Sequence, residues 1–69
     1  MIRIGQAVTC NGNKQGRVIG IYSSGGARFV NSWGSSVEDP GIVEVRLWDG
    51  FRHVGDVCVD ASELNRTVN

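Results

Sequence analysis

The sequence has little of what marks a catalytic or metal-binding protein. It holds one histidine and two cysteines, Cys10 and Cys58, far apart in the chain. With no C-x-x-C pair and a single imidazole, a structural zinc site has too few ligands. Two isolated cysteines with no charged-then-apolar signal segment ahead of them point to reduced, partly buried thiols in a cytoplasmic protein. No apolar run approaches the roughly 18 residues that a membrane span needs, so no membrane partner is expected. Net charge is also missing: seven basic residues balance seven acidic ones, which removes the long-range field behind tight nonspecific binding to nucleic acid. The Gly-bearing stretches "GNKQGR" and "SSGGA" lack P-loop spacing and open no helix. No serine sits in a nucleophile elbow that His53 and Asp49 or Asp56 could serve. The expectation is a noncatalytic protein with no metal and no cofactor.

What remains is a folded composition, 41% hydrophobic and 20% charged, over a length that suits one domain spanning residues 1–69. A chain this short buries only about 60% of the surface its unfolded form exposes. Homo-oligomerisation is a common source of extra stability for such small cores.

The strand signals are short runs bounded by Gly, Asn, Asp and Ser, the pattern of a small barrel or sandwich. "QAVTC" (Gln6 to Cys10) is followed by the turn cluster "NGNKQG" (Asn11 to Gly16) and the strand "RVIGIY" (Arg17 to Tyr22). Gly20, inside that strand, marks a bulge or a tight bend. Residues 23–41 form a long Ser/Gly-rich loop carrying the only proline, Pro40. Loops of that length tend to be functional or disordered. Within it "ARFVNSW" can pair as a short extra strand, with Ala27, Phe29, Asn31 and Trp33 on one side.

"IVEVRLW" (Ile42 to Trp48) has a period of two that sends Val43, Val45 and Leu47 to the core and Glu44, Arg46 and Trp48 to the other face. Asp49-Gly50 is a strong hairpin signal, and "FRHVGDVCV" (Phe51 to Val59) is the return strand. A two-residue Asp49-Gly50 loop sets Trp48 opposite Phe51 and Arg46 opposite His53. The same register sets Asp56 beside the core residue Val43, where an unpaired carboxylate is costly. A bulge at Gly55 relieves this by turning Asp56 outward and bringing Val57 and Val59 inward. "DASELN" (Asp60 to Asn65) reads as one capped helical turn with Leu64 plugging the end of the barrel, and "RTV" (Arg66 to Val68) adds a last strand.

In this order the elements resemble an SH3-like barrel. "GQAV...GNKQGRVIGIY" looks like the opening of a KOW-type or Tudor-like member, and "VEVRLWDG...VCVDASELNR" looks like the hairpin and helical turn that follow. The fold class implied is all-β, a small SH3-like barrel of about five antiparallel strands with one short helical turn before the last strand. "KQGRVIGIY" and "ASELNR" are also distantly similar to the small plasmid-borne, trimethoprim-insensitive dihydrofolate reductases. The pore-lining motif of those enzymes has no counterpart here, because the corresponding strand reads Val43-Glu44-Val45-Arg46, and the activity does not carry over.

On such a barrel the resemblance implies a ligand surface on the third and fourth strands and adjacent loops. This sequence supplies Trp48, Phe51, Arg46 and Arg52 there, with Phe29, Trp33 and Arg28 in the long loop and Arg17 on the second strand. Six of the seven basic residues are Arg, the better residue for bidentate and stacked recognition, and Trp and Arg are enriched at binding hot spots. The expected function is a noncatalytic binding module that engages a protein partner through this aromatic and Arg face, an accessory protein of the kind carried by phages or mobile elements. The alternatives are a nucleic-acid-binding barrel using ring stacking and Arg–phosphate contacts, and an oligomeric barrel with a shared small-molecule site.

Overall fold

The computed structural model describes residues 2–10, 14–26 and 28–66, with backbone alone at 65 and 66. Positions 11–13, Ala27 and 67–69 lie outside the described residues, and with them the centre of the expected first turn, the start of the extra strand and the end of the last one. The protein is an all-β domain of antiparallel sheets. Its strands are β1 (Ile2–Arg3), β2 (Ala7–Cys10), β3 (Lys14–Ser23), β4 (Phe29–Val30), β5 (Ser36–Val37), β6 (Pro40–Asp49), β7 (Arg52–Asp60) and β8 (Asn65–Arg66), with a single 3-10 turn at Ala61–Glu63. Five of them form the main sheet in the order β7-β6-β3-β2-β8, β4 adds to β3, and β1 pairs with β5. Along the chain the 3-10 turn comes directly before β8, as the sequence pattern implies.

The alternation read from β6 holds. Val43, Val45 and Leu47 are buried together with Ile2, Ile4, Val8, Val18, Ile21 and Leu64 in one cluster. Each fully buried aliphatic side chain contributes roughly 1.5–3 kcal/mol. Val57 and Val59 pack against the cluster from β7. Among the described residues no polar or charged side chain is buried.

The loop over residues 23–41 is more regular than its composition suggests. Phe29–Val30 pairs with Tyr22 and Ile21, so among the described residues the extra strand covers two positions. Ser36–Val37 pairs with Arg3 and Ile2. The bulge expected at Gly20 is present as a register shift between Val18 and Gly20 against β6.

The β6–β7 hairpin needs one correction and supports one expectation. Asp49 pairs with Arg52 and Trp48 with His53, so the turn is Gly50-Phe51, one residue later than the Asp49-Gly50 dipeptide suggests. Trp48 therefore faces His53, not Phe51, and Arg46 faces Asp56, not His53. The register then shifts, with Leu47 opposite Gly55, which leaves Val54 as the extra residue. This irregularity beside Gly55 turns Asp56 outward, as the cost of burying a carboxylate demands.

The two thiols differ from the sequence expectation at one position. Cys10 is buried and free, while Cys58 is free but exposed instead of partly buried. It pairs with Glu44 on the outward row of the sheet. Burial pushes the Cys10 thiol above its ordinary pKa, against a smaller opposing effect of Lys14. Asp60 caps the 3-10 turn by accepting hydrogen bonds from the Ser62 backbone N–H at 3.0 Å and its hydroxyl at 2.9 Å.

Candidate functional site

The outward face of β3, β6 and β7 can be read row by row from the register. One row holds Gln15, Trp48 and His53, the next Arg17, Arg46 and Asp56, the next Gly20, Glu44 and Cys58, and the last Tyr22, Ile42 and Asp60. Side chains directly opposite in a sheet share a face and touch. The sequence-predicted residues Arg17, Arg46 and Trp48 are therefore neighbours because of strand pairing, although Arg17 is remote from the other two in the chain.

Trp33 reaches the same place from the loop. Residues Ser32 to Ser35 make a turn closed by the Ser35 N–H donating to the Ser32 carbonyl at 3.0 Å. Gly34 occupies the third position with φ +82°, which a type II turn requires and which favours glycine. The turn is tied to the N-terminal segment by Ile4 N–H to Ser35 carbonyl at 2.8 Å and Gly34 N–H to Ile4 carbonyl at 3.3 Å. The Trp33 indole consequently lies across Gly5: a Cβ at that position would stand 2.5 Å from two of its ring carbons. Gly5 has φ +92°, so its lack of a side chain serves both the backbone and the ring.

From Gly5 the contacts run on around the face. The Gly5 carbonyl accepts a hydrogen bond from Arg17 Nη1 at 2.8 Å. Arg17 stands opposite Arg46. Arg46 Nε donates to Asp56 Oδ1 at 3.2 Å, and the same oxygen lies 3.1 Å from His53 Nε2. The His53 ring packs against Trp48 with centroids 5.5 Å apart. These hydrogen bonds, His53 first and Arg46 next, hold the Asp56 carboxyl below its ordinary pKa.

Bordered by this arrangement is an open, concave pocket of about 290 Å³ whose lining includes Gly5, Arg17, Asn31, Trp33, Arg46 and Trp48. Four of the eight sequence-predicted residues, Arg17, Trp33, Arg46 and Trp48, meet there. Phe51 is fully exposed at the hairpin tip and shares with Trp48 a second groove of about 400 Å³. Arg52 faces Asp49 at the end of the hairpin. Phe29 packs on Tyr22, centroids 4.7 Å apart, and covers Gly20, further along the sheet. Arg28 is outside the cavity, where its backbone N–H donates to the Ser23 hydroxyl. Gly5, His53 and Asp56 were not among the predicted binding residues, whereas Asn31 lies within the Phe29 to Trp33 loop expected to take part. Gly5 carried a faint signal as a glycine close before a strand, whereas His53 and Asp56 become recognisable only through pairing with Trp48 and Arg46.

The described residues contain no group of three or more metal-ligating side chains and no helix long and apolar enough to cross a membrane. Comparison with protein-family models, with characterised proteins and with solved structures returns no match.

Proposed function

We propose that this chain is an SH3-like barrel acting as a noncatalytic binding module, and that it engages a protein partner through the face built around Trp33, Arg17, Arg46 and Trp48. The strand order β7-β6-β3-β2-β8 and the helical turn before β8 support the barrel reading. One observation carries the functional reading: aromatic and cationic side chains from β3, β6 and the 31–34 loop converge on one concave cavity. A concave site with rigid rings and a few placed polar groups is what recognition needs.

The Trp48→Ala variant tests this. Wild-type and variant proteins are immobilised side by side and exposed to host lysate. A protein retained by the wild type and lost from the variant supports the reading. Equal recovery of every protein removes the face from consideration.

A further inference from the structure

We infer that the cavity between Trp33 and Trp48 is a carboxylate pocket, which takes an Asp or Glu side chain presented by the partner protein. This inference rests on the binding-module reading and specifies what the face recognises.

Two aromatic walls by themselves would suit a cation equally well. The charges decide otherwise. Arg17 and Arg46 line the cavity and no acidic side chain does. They are also direct cross-strand partners, an arrangement in which like charges repel and destabilise the sheet. Asp56 offsets Arg46 from the far side, through Nε, and is shared with His53. No carboxylate among the described residues pairs with Arg17. Its one side-chain hydrogen bond among the described residues, to the Gly5 carbonyl, holds the guanidinium without neutralising it and leaves N–H groups for a further acceptor. A carboxylate between the two guanidinium groups would relieve the repulsion and accept paired hydrogen bonds, the geometry for which Arg is suited.

The same face argues against a nucleic-acid backbone as the source of the anion. Beyond the Arg17–Arg46 row it carries Glu44 and then Asp60. A single anionic group fits, whereas a polyanion continuing in that direction along the sheet would meet carboxylates of like charge. The volume of about 290 Å³ lies at the small end for ligand pockets and accommodates one side chain with its flanking backbone.

The only two tryptophans of the chain are walls of the cavity, so intrinsic fluorescence reports occupancy directly. A phage-displayed library of random peptides is panned on the folded protein, and the enriched peptides are synthesised and titrated. The expected consensus contains a shared Asp or Glu. Replacing that residue by Asn or Gln, or Arg17 by Gln, should weaken binding by about tenfold or more, the loss of a hydrogen-bonded charge pair. Combining the two changes should add little further loss, and Arg17→Lys should restore part of the affinity. Enrichment of peptides with no shared acid, or with a shared Lys or Arg, overturns the carboxylate pocket and leaves the binding-module reading intact. No enrichment at all overturns both. Tight, salt-sensitive quenching by a single-stranded oligothymidylate in place of the peptides assigns the face to nucleic acid.

Discussion

Gly5 is where fold and site are coupled most tightly, and substituting it by alanine separates two kinds of steric demand. The added methyl group meets a backbone at φ +92°, a strained conformation worth about 1–3 kcal/mol for a non-glycine residue. It also stands 2.5 Å from the Trp33 ring carbons, against the roughly 3.5–4 Å of an ordinary carbon contact. The ring must therefore withdraw by an ångström or more. It can do so, because Trp33 is 79% exposed and held only from one side, so the clash converts into displacement instead of stored strain. The expected loss is then the backbone strain alone, about 1–3 kcal/mol, or roughly 4–8 °C in Tm per kcal/mol for a domain of this size. Gly16→Ala is the contrasting case. There the methyl group would overlap Val45 Cγ1 and stand 2.8 Å from the Arg46 carbonyl oxygen, and neither can withdraw from a paired, buried strand. Overpacking of this kind reaches about 3 kcal/mol or more, a large part of the roughly 3–10 kcal/mol expected for the whole chain. Thermal melts followed by circular dichroism, with tryptophan emission recorded on the folded baseline, distinguish the two. Gly5→Ala should shift the emission of a still-folded protein, and Gly16→Ala should mainly lower the melting temperature. A Gly5→Ala protein with wild-type emission and melting would refute the packing of Trp33 on Gly5 and with it the wall of the cavity.

Other outcomes follow from the hairpin, the core and the titrating groups. Phe51→Ser should leave stability within about 0.5 kcal/mol of wild type, because Trp48 stacks on His53; a loss near 1 kcal/mol in urea unfolding would restore Phe51 as its partner. Leu64→Ala should cost about 2–5 kcal/mol, measurable as a lower urea midpoint, since Leu64 seals the core next to the 3-10 turn. The Asp56 and Asp60 carboxyls are both held below their ordinary pKa by hydrogen bonds. Their contributions are therefore complete above the unfolded value near 4 and are lost as pH falls through the lower folded values. Melting temperature should be flat in neutral buffer and drop in that acid range, and Asp56→Asn should shallow the drop; an unchanged slope in both Asn variants would contradict the assigned bonds. Thiol titration with a chromogenic disulfide should modify the exposed Cys58 in the folded protein and the buried Cys10 only on unfolding.

Local chemistry was enough to read the all-β class, the core face of β6, the bulge at Gly20, the capped turn at Asp60 and the outward placement of Asp56. The first four depend on neighbours in the chain, namely side-chain alternation along a strand, a glycine inside it and a capping carboxylate, and the last on the cost of burying a charge. The turn was misplaced by one residue because Asp49-Gly50 is a favourable loop in isolation, while the observed register pairs Trp48 with His53 and leaves one extra residue, Val54, in the return strand. The residue types of the candidate face were also legible in sequence, as a scatter of Trp and Arg.

Which of them meet was decided only by tertiary structure. Strand pairing sets Arg17 against Arg46, and the 32–35 turn carries Trp33 onto Gly5. Phe29 and Arg28 are left outside the open pocket that these contacts border. Hydrophobic alternation is a property of consecutive residues, so sequence alone determines which side of a regular strand such as β6 faces water. The partner across the ladder depends on register and on loop closure, which belong to the folded chain as a whole.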